Sequence, residues 1–170
     1  MASILKVDQI QTAAGGTPTA ADLGLNVTGG VLQVVSFDTT TDSSSTSLSY
    51  SATNITASIT PSSTSSKILV LVCYNGGPYR NNGSEARGDI GLSRDGGSTM
   101  LNEHQVRYYD YGGSGIIAWS VQSFQYLDSP NTTEQLTYTV YHRMSDAGTT
   151  AMVQSNGNAS SSITLLEIAG

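Results

Sequence analysis

The sequence has few charged residues, one cysteine and no long apolar runs, and each shortage excludes a class of protein. Only 12% of the 170 residues are charged, and the net charge is −6. Nucleic acids and anionic membranes are bound mainly through clustered Lys and Arg, whereas the seven basic residues are scattered along the chain, so we expect neither partner. No apolar run approaches the roughly 20 residues of a membrane-spanning helix. Residues 1–6 also lack the pattern of a signal peptide, which predicts synthesis in a cytoplasm.

Residues that commonly carry out catalysis or bind metals are equally scarce. Cys73 is the only cysteine and lies in the apolar run 67–74, so we interpret it as a buried hydrophobe. His104 and His142 lie in different segments, and no carboxylate at an offset of three or four residues recurs beside both of them, which predicts no metal site. Paired carboxylates for glycoside hydrolysis stay open as an alternative, because such pairs form in space rather than in sequence. We therefore expect a protein that is not an enzyme, with no catalytic residues and no cofactor.

The residues that are present favour strands and turns. Ser and Thr make up about a quarter of the chain, and short apolar segments alternate with polar residues. Arg94-Asp95-Gly96-Gly97 and Asn156-Gly157 are typical of hairpin turns. Nine strands are predicted at 31–37, 55–60, 67–74, 90–92, 99–109, 116–127, 136–140, 151–153 and 161–168, with exposed loops at 38–47 and 75–86. Eight or nine strands without crossover helices predict an all-β antiparallel sandwich or jelly roll over residues 31–170.

Residues 1–30 form a segment of different character. Apolar residues occur at a spacing of three near the start, and a breaker cluster follows at 13–18. The segment is too short to fold alone, although its apolar side chains need burial. We interpret it as an extended docking segment that orders against a partner or a neighbouring copy, and an unattached tail is the alternative.

Several predicted strands are apolar on both sides, which indicates association between copies. Strand 67–74 is apolar at nearly every position, and both alternations of strands 116–127 and 161–168 carry large apolar side chains. A lone sandwich normally has one wet side on each strand, and burial of each extra apolar side chain is worth roughly 1.5–3 kcal/mol. The candidate oligomer interface consists of one alternation from each of these two strands: Ile116, Ala118, Phe124, Tyr126, Leu166 and Ile168.

A tyrosine-rich segment before Gly112-Gly113 is a candidate ligand site. Its members are Arg107, Tyr108, Tyr109 and Tyr111. Tyrosine rings can stack on sugar rings while their hydroxyls form hydrogen bonds, which makes a host-surface glycan a candidate partner. The alternative is that these tyrosines pack between copies of the chain.

Both ends of the sequence resemble a known group of proteins. Small structural proteins of marine and cyanobacterial phages have N-termini similar to Ala2-Ser-Ile-Leu-Lys-Val-Asp-Gln-Ile-Gln11 and Pro18-Thr-Ala-Ala-Asp-Leu-Gly24. The segments Gly30–Val35, Ile59–Val70, Tyr126–Asn131 and Ser162–Gly170 resemble parts of the same phage fibre and decoration proteins. The resemblance covers most of the chain, although its motifs are rich in Ser and Thr and carry little information.

The resemblance implies a trimeric jelly roll similar in outline to the tumour-necrosis-factor and C1q heads. It also implies that residues 1–30 attach the domain to other virion proteins of the capsid, tail or baseplate. The implied anchor contacts are Ile4, Leu5, Val7, Ile10, Leu23 and Leu25. The expected function is a non-enzymatic virion fibre or decoration protein, and the alternative is a glycan-binding receptor-recognition module of a tail fibre.

Overall fold

Alternating apolar and polar residues form antiparallel strands throughout the described part of the chain. A computed structural model describes residues 11, 15–16, 28–81, 83, 85–109, 115–117, 119–154 and 159–170. Its strands are, in chain order, β1 Val31–Thr39, β2 Ser43–Ser45, β3 Ser51–Ile59, β4 Lys67–Arg80, β5 Glu85–Ser93, β6 Asn102–Tyr109, β7 Ile116–Ile117, β8 Ser120–Asp128, β9 Leu136–Met144, β10 Ala151–Gln154 and β11 Ser161–Ile168.

The strands form two sheets in which every pairing is antiparallel. One sheet has seven strands in the order β1-β11-β4-β10-β2, with β7 and β8 also paired to the long β4. The other has the order β3-β9-β5-β6. The predicted class, an all-β sandwich of the jelly-roll type, is confirmed. Among the described residues, the strands begin at Val31. Just before β1, the Gly29 N–H donates a hydrogen bond to the Ala169 carbonyl, which follows β11, at 2.8 Å.

Three local predictions were wrong. The segment predicted as the loop 38–47 contains the short strand β2, which pairs with β10. The predicted loop 75–86 is mostly strand, because β4 continues to Arg80 and β5 begins at Glu85. The segment 116–127, predicted as one strand, is divided into β7 and β8. The Gly and Asn residues that indicated loops lie in strands here because β10 provides β4 with a further partner.

The core lies between the two sheets and contains one alternation from most of the strands. In β3, Ile55, Ala57 and Ile59 are buried while Asn54 and Ser58 are exposed, as the period of two predicts. The buried hydrophobic cluster comprises Ile55, Ala57, Ile59, Ile68, Val70, Val72, Tyr74, Ile90, Leu92, Val106, Tyr138, Val140, Met152, Ile163 and Leu165. Burial of this cluster is the main stabilising contribution to the fold.

Candidate interaction surfaces

The outward side of the seven-stranded sheet carries an apolar surface. Residues paired directly across strands project on the same side of a sheet, so the buried Val70 and Leu165 place their sequence neighbours on the outside. The outward apolar residues, called the apolar face below, are Val31, Val34, Leu69, Leu71, Val121, Leu127, Leu166 and Ile168. The charged residues among the outward positions of β1, β4, β8 and β11 are only Asp38 and Lys67.

Four members of the apolar face form a continuous row across four strands. Val34 pairs with Leu166, Leu166 with Leu69, and Leu69 with Leu127. Adjacent strands lie about 4.8 Å apart, so the row is about 14 Å long. Val34 is 58% exposed and Leu127 is 51% exposed. Side chains of this size without cover are typical of a surface that contacts another molecule.

A shallow groove of about 530 Å³ adjoins this row. Its outward lining residues are mostly small or polar: Leu71, Cys73, Ser123, Gln125, Ser162 and Thr164. Thr164 Oγ1 lies 2.9 Å from Ser36 Oγ. Cys73 is half-buried in this groove rather than enclosed in the core. The surface therefore combines an apolar row with neutral hydrogen-bonding groups.

The structure separates the predicted oligomer interface into two sets. Leu166 and Ile168 lie on the apolar face. Phe124 and Tyr126 point the opposite way and pack against the core, because they pair with the buried Val72 and Val70. On β8 the outward apolar positions are Val121 and Leu127, which are 58% and 51% exposed. Of the other two predicted members, Ile116 has a described backbone paired with Arg80, and Ala118 lies outside the described residues.

The outward side of the four-stranded sheet is charged. Its charged residues, called the charged face below, are Glu85, Arg87, Asp89, Glu103, Arg107 and Arg143. Three of the seven basic residues therefore lie together on one surface, although they are scattered in sequence. Every one of these arginines contacts a carboxylate, so the charged face is close to electrically balanced.

One cluster of the charged face is centred on Glu85. Its carboxylate accepts a hydrogen bond from Arg87 and forms an ion pair with Arg107 at 3.1 Å. The Arg87 hydrogen bond, followed by other favourable contacts, lowers the pKa of Glu85 to about 2. Arg87 Nε also lies 3.6 Å from Asp146 Oδ2. These contacts fix the positions of the Arg87 and Arg107 side chains on β5 and β6.

A second cluster surrounds Asp89. The Arg143 Nε donates to Asp89 Oδ2 at 2.9 Å, and the Gln105 side-chain amide donates to Asp89 Oδ1 at 3.4 Å. The Arg143 guanidinium lies over the Tyr50 ring at 4.4 Å from its centroid, which is within range of a cation–π interaction. A groove of about 450 Å³ opens over this cluster.

The predicted tyrosine site is divided between the edge of the sandwich and its surface. Tyr108 points inward, and its hydroxyl contacts the side chains of Ser120 and Gln122, which closes the edge between β6 and β8. Tyr109 is 56% exposed and its hydroxyl accepts a hydrogen bond from Arg107 at 3.1 Å. Tyr111 lies outside the described residues. Arg107 and Tyr109 therefore remain available for ligand contact, whereas Tyr108 has a structural partner.

The six candidate anchor residues, Ile4, Leu5, Val7, Ile10, Leu23 and Leu25, all lie outside the described residues. Within the described ranges, no group of three or more His, Cys, Asp or Glu side chains could hold a metal ion. The two histidines lie apart: His104 is exposed and stacks on Phe124, whereas His142 is buried beside Tyr74. In that same part of the chain, no helix is long and apolar enough to cross a membrane.

Sequence reasoning missed the Asp89 cluster. Asp89 and Arg143 are 54 residues apart in sequence, and the register of β5 with β6 and β9 brings Asp89, Gln105 and Arg143 together. A weak signal was present in β5, where Glu85, Arg87 and Asp89 alternate with the small or apolar Ala86, Gly88 and Ile90. That alternation indicates one charged and one buried side of a strand.

Comparisons with known proteins do not identify the function of this chain. No protein-family model matches the sequence, and no curated protein matches it. Among solved structures, the chain is similar to the infectious bursal disease virus VP2 subviral particle, with a TM-score of 0.41 and 12% sequence identity. The similarity covers 81% of this chain and 33% of that chain, so this chain spans about a third of that protein. At this degree of similarity the match identifies neither a function nor a partner.

Proposed function

We propose that the chain is a non-enzymatic virion structural protein, a short homotrimeric fibre or decoration protein of a phage particle. Copies associate through the apolar face, and residues 1–30 attach the domain to the particle. The apolar face is the observation that carries the proposal. The resemblance of residues 2–11 and 18–24 to phage structural proteins supports the location, and the implied three-fold arrangement comes from the same resemblance.

The composition of the apolar face favours a second copy of the chain as its partner. In a closed ring, copies of the same surface contact one another. Like charges on that surface would therefore repel and oppose association. The outward positions of β1, β4, β8 and β11 carry two charged residues, Asp38 and Lys67, whereas the charged face carries six. The hydroxyl and amide groups of the adjoining groove can both donate and accept hydrogen bonds, so they are compatible with the same groups on a second copy.

Burial of the apolar face contributes favourably to association. Full burial of a large apolar side chain is worth roughly 1.5–3 kcal/mol. Val34, Val121 and Leu127 are each more than half exposed, so covering one of them contributes about 1 kcal/mol per copy. Three copies bury each position three times, and these contributions oppose the entropy lost on association.

The first prediction concerns Leu127→Asp. The substitution removes about 1 kcal/mol of burial per copy and places a carboxylate against an apolar surface, which costs more. We expect light scattering to give three times the 17.7 kDa chain mass for the wild type and a single chain mass for Leu127→Asp. The matched control is Thr137→Asp, which adds the same charge at an exposed position on the opposite side of the sandwich and should leave the trimer intact.

Cys73 supplies an independent readout, because its half-buried thiol lies beside the same face. We expect a thiol reagent to modify Cys73 slowly in the wild type and faster in Leu127→Asp. A wild-type protein that is monomeric at micromolar concentration would contradict the proposed association. Equal masses for wild type and Leu127→Asp would show that the interface lies elsewhere than on the apolar face.

Attachment through the N-terminal segment is tested separately. Lys6 is the first basic residue in the chain, so trypsin can report on the accessibility of its surroundings. We expect cleavage after Lys6 in the isolated protein and protection on intact particles. A chain of residues 28–170 keeps the Gly29 and Gly30 bonds to Ala169, and we expect it to form trimers without joining particles. Normal incorporation of this shortened chain would refute the anchor role.

A further inference from the structure

The groove over Asp89 has the features of a binding site that the assembly role does not use. It is lined by Leu48, Asp89, Gln105, Arg143, Met144 and Ser145. These residues come from β5, β6, β9 and the loop before β3, so three hydrogen-bonded strands form a rigid floor. Its volume of about 450 Å³ is within the range of small-molecule sites. We propose that this groove binds a neutral saccharide of one or two pyranose rings.

The polar groups in the groove match the chemistry of neighbouring sugar hydroxyls. Asp89 supplies carboxylate oxygens as acceptors, and Arg143 supplies guanidinium N–H groups as donors. Arg143 uses Nε for Asp89, and its terminal nitrogens form no hydrogen bond with the described residues. A vicinal diol can donate to the carboxylate and accept from the guanidinium at the same time. Stacking on Tyr50 holds the guanidinium plane in place before a ligand arrives.

The rim of the groove provides apolar contact. Leu48 is 53% exposed and lies on the rim, where it can pack against the C–H side of a pyranose ring. On the opposite side, Arg107 donates to Gln105 at 3.2 Å and to Tyr109 at 3.1 Å. This chain of polar groups extends the surface along β6 and accommodates a second ring.

The charges favour a neutral ligand. Asp89 and Arg143 neutralise each other at 2.9 Å, so the groove offers no excess charge to an ion. The net charge of −6 also repels anionic ligands. The charged face lies on the opposite side of the sandwich from the apolar face, so association through the apolar face leaves the groove open. The inference does not depend on the trimer, because every lining residue comes from one chain.

The test is a titration of the ¹⁵N-labelled full chain with methyl glycosides of glucose, galactose, mannose and N-acetylglucosamine. We expect at least one to shift the amide signals of Leu48, Gln105 and Arg143 with a Kd of about 1 mM or below. Gln105→Ala and Leu48→Ala change exposed side chains and should preserve the fold. Each should weaken binding about tenfold. The control, Thr137→Ala, changes an exposed residue of β9 that does not line the groove and should change binding less than about twofold.

Three outcomes would overturn the inference. The first is the absence of signal shifts with all four glycosides up to about 50 mM, which is far above a millimolar Kd. The second is binding that neither Gln105→Ala nor Leu48→Ala weakens. The third is a loss in Thr137→Ala as large as in Gln105→Ala, which would show that the losses do not report on the groove. None of these outcomes changes the mass measured for the oligomer, so the two proposals fail separately.

Discussion

The buried imidazole of His142 makes the stability of this protein depend on pH. His142 is fully buried, and its Nδ1 lies 3.0 Å from the Tyr74 hydroxyl. Its Nε2 is buried and has no hydrogen-bond partner among the described residues. Burial penalises the charged form of the ring and lowers the pKa of His142 from 6.5 to about 4. The native state therefore holds a neutral imidazole at pH values where an unfolded chain binds a proton.

The sign and size of the effect follow from this difference in pKa. Above pH 6.5 the ring is neutral in both states, so the native state is fully stable there. As the pH falls from 6.5 towards 4, only the unfolded chain takes up the proton, and the free energy of unfolding decreases. One pH unit corresponds to about 1.36 kcal/mol, so the loss is about 2 kcal/mol at pH 5 and about 3 kcal/mol at pH 4.

The measurement is urea unfolding at pH 7 and pH 5 at one fixed protein concentration, because association also affects stability. We expect the wild type to lose about 2 kcal/mol between these pH values, and His142→Gln to lose much less. The matched control is His104→Gln at an exposed imidazole, which should retain the wild-type pH dependence. Carboxylates with lowered pKa values, such as Glu85, affect stability only at lower pH. Equal wild-type stability at pH 7 and pH 5 would refute the reasoning.

Three further substitutions test the packing and hydrogen bonding that position the strands. Gly76→Ala places a Cβ that overlaps the Val153 carbonyl oxygen in the β4–β10 pair, so we expect a loss of about 2–4 kcal/mol in chemical denaturation. Gly96→Ala, which meets no atom within 4 Å, should cost about 1 kcal/mol through its positive φ alone. Tyr138→Phe removes the 2.7 Å hydrogen bond to buried Asp128 and should lower the free energy of unfolding by about 1–3 kcal/mol.

The fold class was predictable because strand periodicity is a local property. The alternations in β3, β9 and β11 are visible in the sequence, since each strand places every second residue in the core. The short β2 was not predictable. It consists of Ser43–Ser45, which have no apolar alternation, and it is a strand because β10 supplies hydrogen bonds. Such a strand is determined by its partner rather than by its own residues.

The inward side of β8 could not be chosen from the sequence. Both alternations are apolar, so a change of one residue in the phase exchanges the two sides. Phe124 and Tyr126 lie inside because β8 is the sheet edge that faces β6, where a large ring can fill the gap between the sheets. Phe124 stacks there on His104 with ring centroids 4.7 Å apart. Val121 and Leu127 are smaller and lie outside. The sequence predicted an uncovered apolar side, and the neighbouring strand decided which residues form it.

The same sandwich supports two different surfaces because its two sheets differ in what their outward positions carry. The seven-stranded sheet presents Val34, Leu127 and their neighbours, whose burial stabilises contact with another molecule. The four-stranded sheet presents arginines already paired with carboxylates, such as Arg143 with Asp89. Such pairs gain little from burial in a dry interface, since desolvation offsets their attraction. They retain their hydrogen-bonding capacity for a small hydrated ligand, so assembly is expected on the first surface and ligand recognition on the second.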